Sequence, residues 1–360
     1  MTATRIFTRS DLVILGGSAL GTVIAGVTRY VGGGAVLAFI CAALAVALLA
    51  SLVGRSVEQL GDRFGPGATG VLQSALGNLP ELFIALFALK AGLVVVVQAA
   101  LIGSILANLL LVLGLCFVVG GLKHGTQSLD TERAHSITVM MLLAVAALVL
   151  PSLASYLHTP AAPHENTFSL IVAIVLLALF ALTLPASLKR GSTRLAGDER
   201  PAEHEPPRWP AALAIGMLTA AAVGAAFVSD WFVHALEPAM ATAGISEAFA
   251  GLVVVAIAGN AVENVVGIQL AARNQSEYAF SVVLNSPLQI ALVLAPLLVI
   301  LSAVFGFAPL TLVFPPMLVV SVVVAVIITA FITVDGKSNW IEGAALLAVY
   351  AIIATAFWWG

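Results

Sequence analysis

The chain has 360 residues, of which 61% are hydrophobic and only 9% charged. A soluble domain carries about 25% charged residues, so a water-soluble globular protein is excluded. The formal net charge of −3 says little by itself, because placement matters more than the sum, and no nucleic-acid partner is expected.

Apolar runs of about 20 residues recur from Asp11 to Trp359, long enough for helices to cross a hydrocarbon core about 30 Å thick. A β-barrel would show alternating segments of about ten residues, and the sequence has none. At the N-terminus, Arg5 and Arg9 precede an apolar run containing Gly16, Gly17 and Gly21. No A-x-A-like cleavage site follows, so residues 11–28 are expected to stay as the first span. Helices are then expected at 34–59, 67–89, 92–119, 135–156 and 166–188. Cys41 and Cys116 both fall in these apolar runs and read as buried thiols, not as a disulfide framework or a zinc site. The polar, proline-bearing stretch Lys189–Arg208, "KRGSTRLAGDERPAEHEPPR", reads as a linker. Five more helices follow, at 210–235, 245–272, 277–303, 311–333 and 340–359.

Lys and Arg counted in alternate loops give the orientation. With the N-terminus in the cytoplasm, thirteen of the fifteen fall inside, leaving only Arg29 and Lys90 outside. The C-terminus is then outside. With the first helix set aside, five spans precede the linker and five follow it. An odd number per half makes the two halves enter the membrane from opposite sides, an inverted-topology repeat. The expected fold is an all-α polytopic membrane protein with 11 transmembrane helices. Residues 1–33 form the N-terminal tail and first helix, 34–188 the first five-helix repeat, 189–209 a cytoplasmic linker and 210–360 the second repeat.

The sequence itself repeats. "GNLPE" stands at 77–81 and "GNAVE" at 259–263, so Gly77, Asn78 and Glu81 match Gly259, Asn260 and Glu263 at an offset of 182. At the same offset Ser104 matches Ser286, Leu106 matches Leu288 and Leu110 matches Leu292. "SVEQL" at 56–60 faces "ALEPA" at 235–239, aligning Glu58 with Glu237 after a three-residue shift.

An ionised carboxylate near the bilayer centre costs roughly 2.5–3.5 kcal/mol on insertion scales. One such Glu can be a neutral, hydrogen-bonded packing residue. Two at equivalent places of an inverted repeat are brought together at the midplane. Residues i and i+3 share a helical face, so Asn78 points with Glu81, and Asn260 with Glu263. All four offer oxygen, the ligand type of hard cations such as Ca²⁺, which takes six to eight. Backbone carbonyls are expected to add to these. Pro80 cannot donate to the Leu76 carbonyl, nor Pro287 to that of Val283, and Gly77 and Gly259 permit local unwinding. Ser104, Asn108, Ser286 and Gln289 are candidates to complete the site, with Gln98 and Asn285 as weaker ones. The plain alternative for these groups is interhelical hydrogen bonding, worth about 0.6 kcal/mol on average. Glu81 and Glu263 also suit proton coupling, because metal binding expels protons and protonation expels metal.

At these residues the chain resembles the Ca²⁺/H⁺ antiporters, the CAX branch of the cation/Ca²⁺ exchanger superfamily. The resemblance rests on "GNLPELFIALFALKAGLVVVVQAALIGSILANLLLVLG" and "GISEAFAGLVVVAIAGNAVENVVGI" and runs from about Leu52 to the C-terminus. It implies a first helix outside two inverted five-helix repeats. It implies Glu81 and Glu263 as the binding acids and Asn78 and Asn260 as their partners. It makes Gly103–Ser104 and Ser286–Gln289 further site elements. The second and seventh helices, carrying Glu58 and Glu237, would be the gating pair. The transported ions would be Ca²⁺ and H⁺, with no cofactor, no enzymatic activity and no catalytic residues. The expected setting is a lipid bilayer, the inner (plasma) membrane of a bacterium.

Three departures bear on ion selectivity. Leu79-Pro80 follows Asn78 where the branch usually has a small residue, and Pro-Glu is similar to sodium-coupled and broad-specificity exchangers. Asn285 stands where the second repeat often has Gly. The acidic segment between the halves is reduced to "GDERPAEHE". A Na⁺(K⁺)/H⁺ or Na⁺/Ca²⁺ exchanger is therefore the alternative within transport, separable by a Na⁺ gradient applied without a pH gradient. A membrane-embedded enzyme would need clustered Asp, His or Cys, whereas the six histidines are scattered and show no H-E-x-x-H spacing. A cation channel would need no proton counterflow.

Overall fold

Turn and cap residues divide the apolar sequence into helices. The computed structural model describes residues 6–61, 63, 72–73, 76–194 and 207–359. Its helices are α1 Arg9–Tyr30, α2 Ala35–Gly61, α3 Leu79–Lys90, α4 Val94–His124, α5 Thr131–Tyr156 and α6 Glu165–Arg194. Further along the chain come α7 Ala211–Ala243, α8 Glu247–Gly259, α9 Ala261–Ala272, α10 Ser276–Phe305, α11 Pro316–Thr333 and α12 Trp340–Phe357. Nine helices among the described residues are long and apolar enough to cross a membrane. The number is ten if α8 and α9, bent by 62° at their junction, form one span. The span expected at 67–89 lies partly outside the described residues, and residues 79–89 of it belong to α3. The linker expected at 189–209 lies outside them at 195–206, and its first residues continue α6 to Arg194.

Two of the starts show why helices begin where they do. Thr8 and Asp11 form a capping box at α1, each side chain accepting the other's backbone N–H, at 2.8 and 3.1 Å. Asn339 and Glu342 do the same for α12. Two short strands, β1 Gln127–Ser128 and β2 Lys337–Ser338, pair antiparallel between the α4–α5 and α11–α12 connections.

The described residues fall into two compact units. One comprises Met1–Phe87 and Ala178–Ala243, the other Ala88–Leu177 and Gly244–Gly360. In the first, α2 and α7 pack along their lengths. Leu52, Val53, Val57 and Leu60 of α2 bury against Trp209, Ala214 and Ala221. Phe39 meets Phe232 at a ring separation of 4.7 Å. In the second unit α4 is the central helix, with 78% of its most apolar window buried, against 17% for α1. A Cβ on Gly103 of α4 would collide with the Leu252 carbonyl oxygen of α8, and one on Gly251 of α8 with that of Val96. Only glycine allows the two backbones to cross this closely.

The expectation of a helix from residue 311 fails. Residues 306–315 form a non-helical strap, because Pro309, Pro315 and Pro316 remove donors and α11 starts only at Pro316. Its backbone groups must still find partners if they lie at membrane depth, and side chains of the second unit supply them. The N–H groups of Leu310, Leu312 and Phe314 donate to Ser302, Ser169 and Ser152 hydroxyls at 3.1, 2.9 and 2.9 Å. Gln98 Nε2 donates to the carbonyls of Thr311 and Val313, and Tyr156 to that of Phe314.

Three helices of the second unit contain a wide π turn: α4 at Ala107–Val112, α8 at Ala250–Val255 and α10 at Ile290–Leu294. The first and third fall at nearly matching places under the 182-residue offset. Such turns insert one residue into a helix and often occur at functional sites. Pro287 does not unwind α10. The helix runs through it and widens immediately afterwards.

Candidate cation site

Both Asn-x-x-Glu motifs sit at a helix start. α3 begins directly after Asn78 and α9 directly after Asn260, so Glu81 and Glu263 each occupy the third position of a new helix. A carboxylate there lies near the exposed N–H groups and the positive end of the helix dipole. In sequence the pattern looks like a capping box, which would make it purely structural. Asn260 rules that out for its own motif, since its side chain makes no cap hydrogen bond. Gly77 precedes Asn78 in a tight turn where a Cβ would stand 2.5 Å from the Gln73 carbonyl oxygen. Glu81 is buried, with 9% of its surface exposed, and Glu263 is half-buried.

The Asn260 carboxamide turns into the second unit instead. Its Nδ2 donates to Ser104 Oγ at 2.8 Å and to the Ala256 carbonyl at 2.9 Å. Its Oδ1 accepts from Asn108 Nδ2 at 2.8 Å and from Ser286 Oγ at 3.2 Å. Asn108 Nδ2 also donates to the Ser104 carbonyl at 2.9 Å and to Ser286 Oγ at 3.3 Å. The structure thus joins four expected residues, Ser104 and Asn108 of α4, Asn260 at the α8–α9 break and Ser286 of α10. All four are at most 5% exposed. Ser104 and Ser286, which match at the 182-residue offset, flank the same carboxamide. Asn108 Oδ1 accepts no hydrogen bond among the described residues although the residue is fully buried. It is a carboxamide oxygen of the kind a hard cation takes.

Other candidates fall elsewhere. Gln289 lies one turn beyond Ser286, at the entry to the α10 π turn. Asn78 and Glu81 belong to the first unit. Gln98 is committed to the strap, and Asn285 Nδ2 bonds Ser281 of its own helix at 2.7 Å. Neither joins the network. Glu58 is exposed and pairs with Arg55 at 3.0 Å, and Glu237 is exposed within α7 beside Pro238. Sequence reasoning missed the strap and the π turns. Its one available signal was the run of prolines at 309, 315 and 316.

The network makes Asn260 its most sensitive member. Asn260→Ala takes from the buried Ser104 hydroxyl the amide it accepts from, and from Asn108 and Ser286 a shared acceptor, and a buried group left unsatisfied costs about 1–3 kcal/mol. Thermal unfolding in detergent should fall clearly further for Asn260→Ala than for Asn285→Ala. Equal falls would mean that the four residues do not act together.

Comparison with known proteins gives the family. The family described as sodium/calcium exchanger protein matches residues 34–189 and 213–359. A Ca²⁺/H⁺ antiporter of Aphanothece halophytica is 37% identical over 336 residues, 89% of this chain and 89% of that one. The Ca²⁺/H⁺ antiporter ChaA of Bacillus subtilis is 38% identical over 311 residues, 86% of this chain and 88% of that one. The solved structure of native YfkE superposes with a TM-score of 0.81 at 34% identity, covering 96% of this chain and 99% of that one. A second structure of the same protein names it a Ca²⁺/H⁺ antiporter. The chain therefore belongs to the sodium/calcium exchanger family and, within it, to the Ca²⁺/H⁺ antiporter branch.

Proposed function

We propose that the protein exchanges Ca²⁺ for H⁺ across a membrane, by alternating access at one site to which both Asn-x-x-Glu motifs contribute. Glu81 and Glu263 carry the charge and the protons. Asn78 and Asn260 stand beside them, and Ser104, Asn108, Ser286 and Gln289 complete the surroundings. One observation carries the reading: the Asn260 carboxamide ignores its own helix cap and gathers Ser104, Asn108 and Ser286 in a buried network one turn from Glu263. A hydrogen-bonded spacer would not need residues from three helices, two of them paired by the repeat.

The rest of the proposal follows from the sequence. Eleven spans run from a cytoplasmic N-terminus to an external C-terminus, in the inner membrane of a bacterium. The matching π turns of α4 and α10 support two inverted repeats. Access alternates as α2 and α7, the second and seventh spans, move against a steadier core that holds the site. The Ca²⁺/H⁺ activity named for the relatives agrees with two acids that hold either a dication or protons.

The test is Ca²⁺ uptake into everted membrane vesicles under an imposed pH gradient with Na⁺ absent. Uptake that collapses with the gradient is the expected result. Uptake that needs a Na⁺ gradient and ignores pH would replace the proposal with sodium-coupled exchange.

A further inference from the structure

Helix α1 stands outside the two repeats, yet it is fastened to α2 and α7 at points along its length. Asp11, in its first turn, is only 1% exposed. Its Oδ1 lies 3.3 Å from Arg55 Nε of α2. The same guanidinium reaches Glu58 at 3.0 Å and Ser10 Oγ at 3.5 Å. One cation thus joins the start of α1 to the last turns of α2. Further along, Ser18 Oγ donates to the Leu48 carbonyl at 2.9 Å. Gly17 and Gly21 lie against Leu48, and Gly21 also against Ala45. Such small residues four apart let membrane helices approach closely. Beyond them, a Cβ on Gly26 would stand 3.2 Å from the Trp231 ring of α7, and Tyr30 meets that ring edge-on at 5.9 Å.

These contacts set what α2 can do relative to α1. A slide of one helical turn, about 5.4 Å, would part Asp11 from Arg55 and leave a carboxylate buried without its counter-charge. Removing one partner of a buried ion pair is strongly unfavourable. The Ser18 bond and the Gly21–Ala45 approach would break in the same movement. A stroke of α2 costs less if α1 goes with it.

We infer that α1 is a working part of the transport machinery: α1, α2 and α7 travel as one body during exchange, with Asp11 and Arg55 as the clasp. This rests on the alternating-access reading, in which α2 and α7 move. That reading alone leaves α1 free to be a fixed anchor along which α2 slides.

A disulfide distinguishes the two. An ideal Cβ on Gly21 lies 3.5 Å from Ala45 Cβ, and disulfides span Cβ separations of about 3.5–4.5 Å. Gly21→Cys with Ala45→Cys, in a background lacking Cys41 and Cys116, should cross-link α1 to α2. The oxidised protein should exchange Ca²⁺ for H⁺ at the rate of its reduced form. Loss of exchange on oxidation, restored by reduction, overturns the inference and leaves the proposed function intact. Spin labels at the exposed Leu12 of α1, Leu44 of α2 and Leu143 of α5 supply the second measurement. Between Ca²⁺-loaded and acidic, Ca²⁺-free protein, the Leu12–Leu143 and Leu44–Leu143 distances should change together while Leu12–Leu44 stays constant. A change confined to Leu44–Leu143 refutes the clasp and keeps alternating access. Constancy of all three refutes both.

Discussion

Glu81→Gln and Glu263→Gln should each lower Ca²⁺/H⁺ exchange by more than about a hundredfold, because even groups one step removed from a metal cost 10–100-fold when replaced. Glutamine matches glutamate in size, so the helix starts at Leu79 and Ala261 survive. What disappears is the charge that a dication requires and the proton that must leave in return. Ligand charge count is a main determinant of Ca²⁺ affinity, and neither loss can be made good by Ser104, Asn108 or Ser286, which are neutral. Unfolding profiles in detergent should stay near wild type, since each Glu is replaced by a group that still hydrogen-bonds. Glu58→Gln and Glu237→Gln are the comparison. Both acids are exposed, and Glu58 is paired with Arg55, so their loss should slow exchange without abolishing it. Wild-type exchange in either motif variant would move the site elsewhere.

The second large effect is on pH dependence. In the proposed exchange, Ca²⁺ and protons compete for the same two carboxylates, so the metal must displace protons to bind at low pH. Raising the pH removes the competitor, so apparent affinity rises, then levels off once both acids are ionised. If two protons leave per metal, affinity climbs by up to about a hundredfold per pH unit in the steep region, and by about tenfold if one leaves. Ca²⁺ binding in detergent across pH 5–9 reads the slope. Glu263→Gln should flatten it towards the one-proton value. A slope unchanged by that substitution would assign the linked protons to other groups.

Much of this was legible in the sequence, and the reason is physical. The hydrocarbon core demands long apolar helices, so nearly every span announces itself, and starts such as Thr8–Asp11 carry their own caps. The paired motifs stand out because an acid in such surroundings is costly. Motif spacing marks Asn260, the 182-residue offset marks Ser104 and Ser286, and polarity marks Asn108; the fold brings the four together. Their bonding was not legible. The i, i+3 spacing places Asn260 on one helical face with Glu263, and only the tertiary structure shows its side chain turned towards α4 and α10. The π turns left no mark, since one inserted residue does not change an apolar pattern. Gln98 looked like a site residue because polarity alone cannot tell a cation ligand from a staple for the backbone of residues 306–315. The clasp was half visible: Asp11 and Arg55 are plain in the sequence, but their pairing depends on how α1 lies against α2.

Whether Ca²⁺ binding releases protons is the decisive measurement. Purified protein in weakly buffered, Na⁺-free detergent solution, held at a pH where affinity is steep, is mixed with Ca²⁺ while the pH is recorded. The expected result is an acidification that saturates with Ca²⁺ binding and vanishes in the Glu81→Gln, Glu263→Gln double variant. Ca²⁺ binding without proton release, or release of the same size in the double variant, would contradict it.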